Sequence, residues 1–252
     1  MSIFKLPYSI KELNITMTIR LPYERKGHSQ HTETGIIEFM LAGVRAPEKT
    51  FVEIGFGDGT ENMTLDLLHL GYSGVGIDGY DWNPAVTDRW PGQLIKIQQM
   101  ITPRTVLDHI PIGFMAPDFF SLDIDSFDYE IAKKLLESGF APAVVCCEIN
   151  KKFGDIWASF PYIETNDEIY DRRFCYGCSL SKYNDLWSKH GYEFFTVDTS
   201  AVNGFWFDPK KVTLDMTVLR HLHLGNIDTN YIKTGLAEHW FWKDKLNLLY
   251  QP

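Results

Sequence analysis

A chain of 252 residues, 44% of them hydrophobic, is long enough to bury a sizeable core as one large domain or two small ones. Its formal net charge of -9 argues against a nucleic-acid partner, which favours a basic face, but leaves room for a local basic pocket. No apolar run reaches membrane-spanning length and the opening MSIFKLPYSIKEL is mixed and charged, so the chain reads as cytoplasmic, with no membrane partner.

Residues 1–49 read as an N-terminal cap that carries GHSQHTE just before the first strand. TFVEIGF (50–56) is the first strand, and TENMTLDLLHLG (60–71) follows it as a helix stopped by Gly71. SGVGIDG (73–79) and GQLIKIQQ (92–99) are the second and third strands, and DFFSLDID (118–125) the fourth. DYEIAKKLLES is a helix ended by Gly139. PAVVCCEIN (142–150), apolar throughout, reads as a fifth strand buried on both faces. Residues 151–174 form a long excursion with Trp157, Phe160, Tyr162 and Tyr170, too aromatic for disorder, and read as a lid or acceptor loop. LSKYNDLWSKHG is a helix, and YEFFTVDT and NGFWFDP lie so close together that they must pair antiparallel. Residues 210–252 read as a C-terminal helical segment. The alternation predicts a single α/β domain: seven strands, mostly parallel, helices on both faces and an antiparallel hairpin at the end.

FVEIGFGDGTENMT places Gly55, Gly57 and Gly59 in one turn after the first strand. Closely spaced glycines let backbone approach a ligand without an intervening Cβ. Thr60 stands where a dinucleotide fingerprint has its third glycine, and no Lys is present for a phosphate-binding loop. Glu53 and Asp58 add negative charge, which suits a cationic ligand better than a pyrophosphate. Asp78 ends the second strand about twenty residues further on, where an acid can accept hydrogen bonds from both hydroxyls of a ribose.

The glycine turn, Asp78 and the closing hairpin together resemble the S-adenosylmethionine site of the class I methyltransferases, over roughly residues 50–209. The resemblance implies a Rossmann-like seven-stranded methyltransferase sheet. It assigns Glu53, Gly55, Gly57, Asp58, Gly59, Asp78 and Asp123 to the cofactor, whose sulfonium and ammonium account for the acidic turn. SQHTETGIIEFM, ENMT, SLDIDSFDY and VVCCEIN are also similar to a subgroup near the FkbM-type methyltransferases, often found in polysaccharide or natural-product pathways. Ser126–Phe127 departs from the Gly-Asn pair more usual there. The expected activity is methylation, at oxygen first, of a small polar or sugar-type acceptor. N-methylation of a small molecule and a non-catalytic binding module are the alternatives. The expected partners are that small-molecule acceptor and, as an assembly left open, a second copy of the chain in a homodimer.

Acceptor chemistry belongs at the ends of the fourth and fifth strands. Asp123 and Asp125, and likewise Glu148 and Asn150, are two apart and would share a strand face. Asp125 and Glu148 are candidate catalytic carboxylates, and Asp123, Asp125, Glu148 and Asn150 together are a candidate site for Mg2+. The alternative is that one acid meets the cofactor's ammonium while the others hold loops through backbone N–H groups. His31 in the cap is a further candidate base, whereas His28 reads as a surface or capping residue. His221 and His223 would diverge by about 200° on a helix and read as structural. Arg172 and Arg173, in the excursion, are candidates for pairing with an anionic group on the acceptor. Cys146 and Cys147 point to opposite strand faces and read as packing. Cys175-x-x-Cys178 has no second well-spaced pair of ligands to complete a zinc site.

Overall fold

The computed structural model describes residues 25–154, 156–162 and 176–214. All seven expected strands are present: β1 (Thr50–Ile54), β2 (Ser73–Asp78), β3 (Leu94–Gln98), β4 (Phe119–Leu122), β5 (Val144–Glu148), β6 (Glu193–Val197) and β7 (Asn203–Phe207). They form one sheet in the order β3-β2-β1-β4-β5-β7-β6. The first five run parallel, and β7 pairs antiparallel with both β5 and β6. This is the expected Rossmann-like sheet, mostly parallel with a terminal antiparallel hairpin, and its strand order reverses between β1 and β4.

Alternating side chains build a core on each face. Val52, Ile54, Phe120, Leu122, Val145, Cys147 and Trp206 pack beneath α4 (Asp128–Glu137) and α5 (Leu180–Lys189). Phe51, Phe119, Val144, Cys146, Phe205 and Phe207 pack beneath α1 (Glu33–Leu41) and α2 (Leu65–His69). Cys146 and Cys147 are free and buried on opposite faces, and burial raises both thiols well above their usual range. They are packing residues, as their strand positions imply. Cys178 is likewise free and buried, while Cys175 lies outside the described residues.

Departures from the expected elements sit at the site end of the sheet. The cap contributes α1, whose Ile36, Ile37, Met40 and Leu41 are buried against the sheet. The helix after β1 is only five residues long, because residues 61–64 fold into a turn instead. A short α3 (Pro84–Thr87) begins with Asn83 accepting from the Ala85 N–H at 3.1 Å and Pro in its first turn. In the excursion, Phe153, Ala158 and Phe160 form a small buried cluster, and Ser159 bridges to Cys178. Its remainder, with Tyr170, Arg172 and Arg173, lies outside the described residues, as do His221, His223 and all of the C-terminal segment beyond residue 214. No helix among the described residues is long and apolar enough to cross a membrane.

The hairpin is set by Asp198, which is 2% exposed. Its carboxylate accepts from the backbone N–H groups of Ser200, Val202 and Asn203 at 2.8, 2.9 and 2.7 Å, turning β6 back as β7. Trp206 then locks β7 into the core. Its ring lies 6.2 Å from Trp187 and 5.7 Å from Tyr183, and its Nε1–H donates to Asn184 Oδ1 at 2.7 Å. Trp206→Ala should therefore cost about 3–5 kcal/mol of unfolding free energy in urea titrations. A loss below about 1 kcal/mol would mean that β7 is held chiefly by its backbone ladder.

Candidate active site

β1 ends at the switch point, and the chain leaves it through Gly55, at φ 90. A Cβ there would stand 1.5 Å from the carbonyl oxygen of Asp123, so only glycine fits. Gly55 N–H donates to the Ile77 carbonyl at 2.9 Å, and Asp123 N–H to the Ile54 carbonyl at 2.9 Å, pinning the turn between β2 and β4. Gly57, at φ 63, gives its N–H to Asp78 Oδ2 at 2.7 Å, while Asp78 Oδ1 accepts from Tyr80 N–H at 2.8 Å. Asp78 thus holds the glycine turn from the end of β2. Each of its oxygens keeps a lone pair for a further donor.

The other two acids of the motif serve the turn. Asp58 is exposed and accepts from Thr60 N–H at 2.8 Å and Thr60 Oγ1 at 2.6 Å, and the Thr60 hydroxyl bond holds its carboxyl below the usual range. Glu53 is 2% exposed and accepts from Met63 N–H at 2.9 Å and from the Thr64 hydroxyl. Burial pushes its carboxyl up to about 7. Asn62 Oδ1 meanwhile accepts from Leu65 N–H at 2.7 Å and starts α2. ENMT is therefore the clasp that ties α2 to β1, a role the sequence does not announce because Glu53 is ten residues away. Gln30, Glu53, Gly55, Asn62 and Asp123 line a pocket of about 120 Å³ at this point.

Beside the pocket, one carboxylate oxygen each from Asp123, Asp128 and Glu148 lie within 4.8 Å of one another. Burial raises all three carboxyls, repulsion among the acids adds to it for Asp123 and Glu148, and the hydrogen-bonded pair Asp123–Glu148 holds a proton at neutral pH. Asp128 spends both oxygens on the loop, accepting from Ile124 N–H at 2.8 Å and Ser126 N–H at 3.0 Å.

The expected grouping of Asp123, Asp125, Glu148 and Asn150 is not assembled. β4 stops at Leu122, and Asp125 falls in a turn at φ 54, exposed to solvent. Asn150, 2% exposed, accepts from Lys152 N–H at 3.0 Å and donates to the Tyr176 carbonyl at 2.9 Å, tying down the start and end of the excursion. Both positions were placed on a strand face by a spacing of two, but the chain has left the strand by then. Among the described residues the oxygens that come close enough to share a cation belong to Asp123, Asp128 and Glu148, so Asp125 and Asn150 are not part of that set.

His31 donates its backbone N–H to Glu33 Oε2 at 2.7 Å, and Glu33 Oε1 accepts from Asn203 Nδ2 at 3.0 Å. Glu33 is fully buried, so it fixes the cap to the start of β7. His28 pairs with Asp66 through Nδ1 at 2.9 Å and its backbone N–H at 2.8 Å, a capping role as expected. Glu33 and Asn203 were not recognisable in the sequence, because they are 170 residues apart and neither belongs to a motif.

No protein-family model matches the chain, and no curated protein matches it. Solved structures of similar fold include the 1,6-didemethyltoxoflavin-N1-methyltransferase of Burkholderia thailandensis, with S-adenosylhomocysteine bound. It is 9% identical over 69% of this chain and 76% of that one, with a TM-score of 0.44. An O-methyltransferase family protein from the same organism is 12% identical over 69% of this chain and 54% of that one, TM-score 0.43. The plantazolicin methyltransferase, with S-adenosylhomocysteine and a substrate analogue, is 10% identical over 82% of this chain and 76% of that one, TM-score 0.41. The fold assignment rests on the strand order.

The carboxyl pair gives stability a definite pH dependence. A glutamate in the unfolded chain titrates near 4.3, whereas Glu148 in the folded protein titrates far higher. Between those limits the folded state holds a proton that the unfolded chain has released, so stability falls as pH rises. Glu148→Gln should be more stable than wild type at pH 8, by about 1–3 kcal/mol, and nearly equal to it at pH 5. Urea melts at the two pH values measure this, and a variant equally or less stable at pH 8 would contradict the buried pair.

Proposed function

We propose that the protein is an S-adenosylmethionine-dependent methyltransferase acting on a small polar acceptor, with oxygen as the expected methyl acceptor. The observation that carries this is the glycine turn at the switch point, held by Asp78 and opening onto a pocket whose charged lining is acidic. Glu53, Glu61 and Asp123 line it, and no Lys or Arg among the described residues does. A pyrophosphate would meet repulsion there, whereas a ligand bearing a sulfonium and an ammonium would be attracted. The remaining lone pairs of Asp78 suit the two hydroxyls of a ribose. Gly55, Gly57 and Gly59 provide the backbone approach.

When bound, the cofactor supplies an electrophilic methyl group. The protein's part is then to position the acceptor and to take its proton. Asp123 lines the pocket and is hydrogen-bonded to Glu148, so Asp123 is assigned the acceptor's proton, with Glu148 as its partner. His31, fixed at its backbone by Glu33, is the second candidate base. Asp125 is left out of the chemistry by its exposure, and no step requires a metal. A sugar-type acceptor from a polysaccharide or natural-product pathway fits the polar character of the site.

Calorimetry with S-adenosylhomocysteine tests the assignment. Saturable binding is expected, and Asp78→Ala should weaken it roughly tenfold or more, since a hydrogen bond to a charged acceptor contributes about 1.5–3 kcal/mol. Asp78→Asn keeps the shape and separates lost charge from a loosened turn. Tight binding of NAD with none of S-adenosylhomocysteine would overturn the proposal.

A further inference from the structure

Two buried oxygens near the pocket lack donors. Glu148 Oε2 and Asn203 Oδ1 receive no hydrogen bond from any amide, hydroxyl or amine among the described residues. Their residues are only 7% and 1% exposed. Orphaned acceptors at such depth are rare, because each loses its water without replacement. They also stand side by side. Glu148 and Asn203 are register partners in the β5–β7 ladder. The N–H of Asn203 goes to Asp198 Oδ1 at 2.7 Å, and its C=O accepts from Asp198 N–H at 3.0 Å. Both backbone groups therefore face β6, which leaves Glu148 and Asn203 as a non-hydrogen-bonded pair, the class in which side chains approach most closely.

The orientation of the amide is fixed from the other side. Asn203 Nδ2 donates to Glu33 Oε1, so Oδ1 must be turned away from Glu33 and can only accept. Glu148, at the same time, shares its other interaction with Asp123. The result is a pair of acceptors set among the carboxyls of Glu33, Asp123 and Asp128, with which no Lys or Arg among the described residues forms an ion pair.

We propose that Glu148 and Asn203 form an anchoring subsite for a primary ammonium group carried by the acceptor. This rests on the methyl-transfer assignment only for the word acceptor. An ammonium brings three donors and no lone pair, so it can satisfy both orphaned oxygens at once. A hydroxyl brings one donor and turns its own lone pairs toward carboxyl oxygens. The ammonium takes the place of the proton that the Asp123–Glu148 pair holds, that proton leaving to solvent, and bonds from an ammonium to a carboxylate are among the stronger ones in proteins. The acceptor is thereby narrowed to amines, amino alcohols and amino sugars. The ammonium acts as the handle by which the reacting group is placed.

The test titrates the full chain by calorimetry with 2-aminoethanol and with glucosamine, each against its neutral counterpart, ethylene glycol or glucose. The amines should bind at least roughly tenfold more tightly. Glu148→Gln and Asn203→Ala should each abolish most of that preference, and Glu148→Gln, which keeps the shape, decides the matter if Asn203→Ala fails to fold. Equal affinity for amine and neutral compound, a preference that survives in Glu148→Gln, or no saturable binding of either amine would overturn the subsite. S-adenosylhomocysteine is titrated separately. Its failure to bind would remove the methyl-transfer assignment while the amine titration still decides the subsite. Its binding without any amine preference would remove the subsite alone.

Discussion

The approach of Gly55 to the carbonyl of Asp123 is the contact on which the site depends. β1 and β4 are neighbours at the point where the sheet's order reverses, and their ends must part to leave a crevice. They part only after Gly55 has passed so close to Asp123 that a Cβ would overlap its carbonyl oxygen. That contact sets Gly55 and Asp123 together in the lining of one pocket. Asp78 then closes the turn from β2, and Glu53 ties it to α2, so β1, α2, β2 and β4 meet at one place.

The carboxyls gathered on one face of the sheet are costly for the fold. Glu53, Glu148 and Asn203 alternate in their strands to the side covered by α1, and Glu33, the first residue of that helix, adds another buried acid. Hydrophobic burial of Phe51, Phe119, Phe205 and their neighbours on the same face must offset that cost. Such groups are kept where a ligand supplies what the protein withholds. The unpartnered oxygens of Glu148 and Asn203 mark where the withheld group belongs.

The cap matters for the same reason. Glu33 receives the His31 N–H and the Asn203 amide, so it couples the segment before β1 to the strand that completes the sheet. The cap and the chain after β7 are joined again where Val44 bridges Val212. A segment held at both ends is a firm wall for the pocket, and Gln30 lines the pocket from it.

Amino-acid order alone determined the strands, because the central ones are short, largely apolar runs bounded by Gly, Pro or Asp, and burial on both faces leaves such a run few alternatives. It also determined the glycine turn and Asp78, since positive φ and a strand-end acid are local demands met by local residues. The hairpin followed from the short span between β6 and β7. Tertiary structure decided everything that turned on where a strand stops. Spacing put Asp125 with Asp123, but β4 ends at Leu122 and Asp128, buried at the start of α4, draws the loop round so that Asp128 joins Asp123 instead. Spacing put Asn150 with Glu148, but Asn150 caps the turn that follows. Glu33 and Asn203 acquired roles only when the chain folded, because a hydrogen bond across 170 residues leaves no period or motif in the sequence. Local patterns record the path of the backbone, whereas the polar contacts that make a site depend on which distant residues that path brings together.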